Sequence, residues 1–209
     1  MRVSSCIVAA AVSLAVAAPA ISAQSLSFGL RGSGNVPTGA FANTATTSNS
    51  ALIAGAKAGF GYGLDVGLGL GALGIYAGFD HVQFDCETST CQTNGKYTLQ
   101  GVAVGVKLMV PGMDVFRPFV KGGVTFNNLK GNYGGSSSNS SFETDQTPGY
   151  EVGVGGDIGL LGLVSISPQV RYVGQNLKAK IPGVATTGGA STGVNFFSFD
   201  LGLSVHTPF

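Results

Sequence analysis

Hydrophobic and polar side chains alternate at period two along most of the chain. The last stretch is the clearest: Phe197, Phe199, Leu201, Leu203, Val205, Thr207 and Phe209 share one parity, and Ser198, Asp200, Gly202, Ser204, His206 and Pro208 the other. Successive side chains of a strand point to opposite faces, so this pattern predicts a strand with one apolar and one polar face. Val102, Val104, Val106, Leu108 and Val110 alternate in the same way with Gly101, Ala103, Gly105 and Lys107. So do Val164, Ile166, Val170 and Tyr172 with Ser165, Ser167, Gln169 and Arg171. Helical spacing fits these stretches poorly. Followed along the chain, the alternation predicts eight strands near 25–35, 51–68, 73–84, 97–110, 115–127, 149–160, 163–173 and 194–209.

The connections alternate in length. Polar loops at 36–50, 85–96, 128–148 and 174–193 follow the odd strands, and tight turns near 69–72, 111–114 and 161–162 follow the even ones. An all-β, eight-stranded antiparallel up-and-down barrel with both termini at its short-turn end produces this alternation. The third loop contains the low-complexity run Gly134-Gly135-Ser136-Ser137-Ser138-Asn139-Ser140-Ser141. Gly69-Leu70-Gly71-Ala72-Leu73-Gly74 satisfies a dinucleotide-binding glycine pattern, but no βαβ unit surrounds it and it reads as a turn.

Charge decides which face is inside. The polar parity carries Arg31, Lys57, Asp80, Lys107, Arg117, Lys121, Glu151, Asp157, Arg171 and Asp200 among many glycines. A cation on a lipid-facing wall costs about 2–4 kcal/mol at mid-bilayer, so one-sided charge fits a transmembrane barrel whose polar face lines the lumen. Composition agrees: 34 of 209 residues are glycine and 10% are charged, against about 25% charged in soluble domains. A net charge of +1 leaves no footprint for nucleic acid.

The start of the chain predicts export. Arg2, an apolar run over 6–18, Pro19 and the small residues Ala20, Ser22 and Ala23 form a secretory signal peptide over 1–23, leaving 24–209 as the barrel. That run is too short for a transmembrane helix, which needs about 20 apolar residues. Cys6 departs with the leader. Cys86 and Cys91 remain, and an oxidising compartment favours a disulfide between them, since their spacing matches no common pair of zinc ligands.

The leader, the eight strands, the loop alternation, Ser167-Pro168-Gln169-Val170-Arg171-Tyr172 and the final strand ending in Phe209 together resemble the small eight-stranded outer-membrane β-barrel family of Gram-negative bacteria, the OmpA/OmpX-like type. The resemblance covers essentially the whole chain after the leader. It implies a place in the cell outer membrane, outer-membrane lipid and the barrel assembly machinery as partners, and an assembly signal in Phe199, Leu201, Leu203, Val205 and Phe209. Pro208 departs from that signal.

Three functions are compatible with these residues. The first is a monomeric, non-enzymatic envelope structural protein without cofactor or metal, whose loops contact host surfaces or envelope partners. The second is a narrow passage for a small solute, or a lateral groove for a hydrophobic ligand near Phe79 and Phe84. The third is a lipid A-modifying enzyme using His81 with Ser89 or Asp85, since His206 lies at the opposite end. Buried charges persist only when paired. The strand register therefore predicts a luminal network pairing Arg117 with Asp157, Lys121 and Arg171 with Glu151, Lys107 with Asp80, and Arg31 with Asp200 across the closing seam.

Overall fold

The computed structural model describes residues 24–43, 53–87, 95–110, 115–132, 141–180 and 191–208. The leader at 1–23, Ser89, Cys91 and Phe209 lie outside the described residues. The strands are β1 (Gln24–Thr38), β2 (Ala56–Leu70), β3 (Leu73–Cys86), β4 (Lys96–Met109), β5 (Phe116–Asn132), β6 (Ser141–Thr144), β7 (Thr147–Leu161), β8 (Val164–Lys180) and β9 (Ser191–Pro208). Every pairing is antiparallel, and β1 pairs with β9 from Ser25–Pro208 to Thr38–Asn195, which closes the sheet. Closure removes the unpaired edges that hydrocarbon does not tolerate.

β6 and β7 act in series as one stave between β5 and β8, so nine strands build an eight-stranded barrel. Side chains repair the break between them. The Gln146 amide donates to the Phe126 carbonyl at 2.9 Å, and the Leu129 N–H donates to the Thr144 hydroxyl at 2.8 Å. At the opposite end, Gly71 (φ 72°) and Gly162 (φ 53°) occupy the left-handed region in the two tight turns described there, a conformation that costs glycine nothing.

Several strands run further from these turns than the alternation predicts, and β2 is an exception. β8 runs to Lys180 rather than 173, and β5 to Asn132 rather than 127. β2 begins at Ala56 rather than 51, and a bulge between Ala56 and Gly59 removes Lys57 from the luminal parity. Lys57 is exposed and pairs with Glu87 at 3.7 Å.

The reason lies in the polarity of the two faces, which inverts part-way up the barrel. On β3 the outward positions are Leu73, Ile75, Ala77 and Phe79, then His81, Gln83 and Asp85. Its inward positions are Tyr76, Gly78 and Asp80, then the buried Val82, Phe84 and Cys86. β4 repeats the switch: Val102 to Leu108 face out below and Gln100, Thr98 and Lys96 above, while Leu99 and Tyr97 turn inward. The lower half is apolar outside, as lipid requires, with Leu30 and Leu201 each 62% exposed. The upper half is apolar inside, as water requires. Aromatic side chains gather near the switch: Tyr62 stacks on His81 at 5.0 Å, and Tyr172 lies between Tyr150 and Phe197. They mark the outer interfacial girdle.

The upper interior is a continuous apolar core. Phe41, carried by a 3-10 turn over Gly39–Phe41, packs edge-on against Phe84 at 5.1 Å and beside Tyr97 at 5.7 Å. Phe84 continues to Phe196 at 5.3 Å, and Ile53, Leu99, Leu129, Leu177 and Val194 are almost wholly buried around them. Burial pushes the Tyr97 phenol up, so it stays protonated and donates to the Ala54 carbonyl at 2.9 Å. The described ends of the first connection, through Phe41 and Ile53, thus cork the mouth.

This inversion has a measurable consequence on adjacent residues of one strand. Phe84→Ala should lower the unfolding free energy by about 3–5 kcal/mol, whereas Gln83→Ala should stay within about 0.5 kcal/mol of the parent. Urea unfolding in lipid vesicles reads both, and equal losses would remove the apolar upper core.

Candidate functional site: the barrel interior

Below the cork, alternate residues of every stave turn polar groups into the lumen. Arg171 of β8 is the centre of the cluster. Its Nε and Nη2 donate to the two carboxylate oxygens of Asp200 on β9, at 2.8 and 3.0 Å. Its Nη1 donates to Glu151 of β7 at 2.8 Å, and both Nη atoms reach Asp80 of β3 at 3.2 Å. Arg31 of β1 completes the ring by pairing with Asp65 of β2 and with Asp80 at 2.8 Å. Lys121 of β5 lies 3.6 Å from Glu151, which also accepts the Tyr76 hydroxyl at 2.5 Å. Arg171 and Glu151 are each 1% exposed.

Glycine makes these reaches possible. Tyr76 starts on β3 and crosses β4 and β5 to meet Glu151, and a Cβ on either Gly105 or Gly123 would stand 2.7 Å from its hydroxyl. A Cβ on Gly153 would meet the Arg171 Cγ at 2.9 Å, and one on Gly78 the Asp65 carboxylate at 2.8 Å. The glycine excess is therefore concentrated where long polar side chains cross a narrow lumen.

All nine residues expected in the luminal network face the lumen, but three expected pairings differ. Lys121 and Arg171 do meet at Glu151. Arg31 and Asp200 do not pair across the seam: Arg31 is opposite Gly202, and Asp200 is opposite Ser33. A two-residue offset from barrel shear sends Arg31 to β2 and β3 and gives Asp200 to Arg171. Lys107 pairs with Asp157 at 2.6 Å rather than with Asp80, because Asp80 sits higher, between the two arginines. Arg117 is opposite Asp157 in register, but the described contacts of that carboxylate are Lys107 and Ser167.

The remaining candidates separate. His81 faces outward and stacks on Tyr62, on the wrong side of the wall for luminal chemistry. Phe79 faces outward and Phe84 inward, so they share no groove. His206 has neighbours the sequence reading missed: its Nε2 lies 2.8 Å from the Ser165 hydroxyl and 3.1 Å from that of Ser204. Among the described residues no carboxylate hydrogen-bonds this ring. The period-two pattern contained the signal, since Ser204 and His206 share a parity. Of the expected assembly signal, Phe199, Leu201, Leu203 and Val205 face outward along β9.

Removing one member of a buried pair strands its partner, at a cost of about 3–5 kcal/mol. Arg171→Met should therefore lower stability by at least that amount, while Lys107→Met, at a more open pair, should cost less. Gly123→Ala should displace Tyr76 and also press on the Val104 carbonyl, 2.7 Å from its Cβ, so a Tyr76→Phe background should relieve only part of the loss. Temperature-dependent gel mobility of the folded protein ranks these variants, and an Arg171→Met barrel as heat-resistant as its parent would contradict a dry network.

Comparison with known proteins agrees with this architecture. The outer membrane protein beta-barrel domain model matches residues 6–206. OprG from Pseudomonas aeruginosa is similar in fold at a TM-score of 0.58 and 14% identity, covering 90% of this chain and 97% of its own. Neisserial surface protein A (NspA) gives 0.56 at 13% identity, covering 89% and 97%. Ail, the attachment invasion locus protein of Yersinia pestis, gives 0.50 at 15% identity, covering 90% and 100%. No curated protein matches the chain. The family match over nearly the whole length, on a closed barrel with a lipid-facing lower wall, establishes that the chain belongs to the outer membrane protein beta-barrel domain family and resides in the cell outer membrane.

Proposed function

We propose that this protein is a closed, non-conducting envelope barrel whose role lies in its outer end. The observation that carries this reading is the double obstruction of the lumen. The Phe41, Phe84 and Tyr97 core fills the mouth, and the Arg171 network fills the middle. A solute would have to separate several buried ion pairs and displace an apolar core, each costing several kcal/mol. The strands rise beyond the interfacial girdle at the end where the sequence segments 44–52, 88–94, 133–140 and 181–190 join them. These segments are rich in Ser, Thr, Asn and Gly, a composition suited to contact with water and with other surfaces. The likeness to Ail, the attachment invasion locus protein, supports surface contact as the role.

Three further expectations belong to this reading. The protein is exported with loss of residues 1–23, and Cys86, which ends β3, bonds to Cys91 in the second of the four long connections. Its assembly signal includes the terminal Phe209.

Reconstituted into planar bilayers, the protein should give no steady conductance above the lipid background. A regular conductance step in the parent would replace this reading with the solute passage. The intact mass of the exported protein should equal that of residues 24–209 less two hydrogens, with those hydrogens regained on reduction. A mass retaining the leader would refute the cleavage, and one unaffected by reduction the disulfide.

A further inference from the structure

The lumen is filled above its midpoint but open beneath the ion network, where a cavity of about 390 Å³ reaches the short-turn end. That volume lies within the range of small-molecule sites. Gly71, Ala72 and Met109 stand at its mouth, so it opens toward the periplasm. Its two walls differ. The wall from β1 to β3 is pared to serine and glycine: a Cβ on Gly67 or Gly69 would meet the hydroxyl of Ser27 or Ser25 at 2.6 or 2.5 Å.

The facing wall carries charge. The Lys107 ammonium lies 3.9 Å over the Phe119 ring and 2.6 Å from Asp157, which the Ser167 hydroxyl also engages at 2.7 Å. Arg117 lines the same cavity, and among the described residues no carboxylate lies within ion-pair distance of it. Overhead, Arg31 uses its Nη atoms on Asp65 and Asp80, while its Nε is buried with no hydrogen-bond partner. Asp80, Glu151 and Asp200 are gathered around Arg171 above, and none of them lines the cavity. Four cations (Arg31, Lys107, Arg117 and Lys121) and two carboxylates (Asp65 and Asp157) line it.

We propose that this periplasm-facing cavity binds a small phosphate-bearing solute. Arg117 supplies the forked guanidinium that matches phosphate oxygens, Lys107 a second cation, and Ser25 a hydroxyl donor from the facing wall. Arg117 stands exposed near the mouth, so the low-dielectric walls strengthen chiefly the interactions of Lys107. The glycines of that wall leave the volume a phosphate group needs. Binding here requires no passage through the barrel, so it stands whether or not the pore conducts.

The test is titration of inorganic phosphate into the folded full chain at low salt, read by NMR of the arginine Nε–H signals. Saturable shifts should appear at Arg117 and Arg31. Arg117→Met should weaken binding at least about tenfold, and Arg117→Lys, which keeps the charge but loses the fork, by an intermediate factor. Lys130→Met, at the outer rim, should leave the affinity unchanged. A short-chain phosphatidate in a second titration distinguishes the source: binding of phosphatidate with free phosphate silent supports the site and assigns it to a lipid headgroup. Absence of any saturable shift with either probe up to about 10 mM, or equal affinity in the parent and Arg117→Met, would overturn the proposal.

Discussion

Arg171 is the side chain around which the barrel is organised. From β8 it clamps β9 through Asp200, β7 through Glu151 and, across the lumen, β3 through Asp80. Charged groups at this depth have neither bulk water nor lipid headgroups to solvate them, so each must find its counter-charge inside the wall. A guanidinium satisfies three carboxylates at once because its donors are spread over a rigid plane. Small residues must then occupy the positions its partners cross. The glycines beside Arg171, Asp65 and Tyr76 follow from that demand.

The second organising feature is the change of surroundings along each strand. One continuous strand serves two solvents, and the parity of its apolar residues is exchanged where lipid gives way to water. β3 makes the exchange between Asp80 and Val82 on its inner face and between Phe79 and His81 on its outer face. The inner residues of the upper half then behave as the core of a water-soluble sandwich. Phe41 and Ile53 complete that core from a connection rather than from a strand.

Much of this is legible in the sequence because period-two alternation is a property of each strand alone. The eight staves, the inward charge and the seam between first and last strand follow from it. What it leaves open is relative height, because alternation is unchanged by sliding one strand past another by two residues. The pairing of Arg31 with Asp65 and Asp80 instead of Asp200 is one such slide. Strand length is misread for a different reason. At the outer ends of β5 and β8 the alternation continues, but the buried Leu129 and Leu177 lie on the opposite parity from Phe126 and Tyr172. A rule that keeps one parity apolar throughout ends the strand there. The cork is invisible to periodicity altogether, since Phe41 and Ile53 flank a polar connection and come together only through the closed mouth.

The exchange of faces also divides the molecule thermodynamically. Unfolding of the lower half within a bilayer leaves its outer apolar residues in hydrocarbon, so little of that surface is newly hydrated. Unfolding of the upper half exposes Phe41, Phe84, Leu99, Leu129 and Phe196 to water, and hydration of such surface raises the heat capacity. The outer mouth therefore carries most of the curvature of the stability with temperature, and its cohesion weakens on cooling as the hydrophobic driving force fades. The ion-paired middle contributes little of this apolar term, so the hydrophobic loss on cooling is concentrated at the rim.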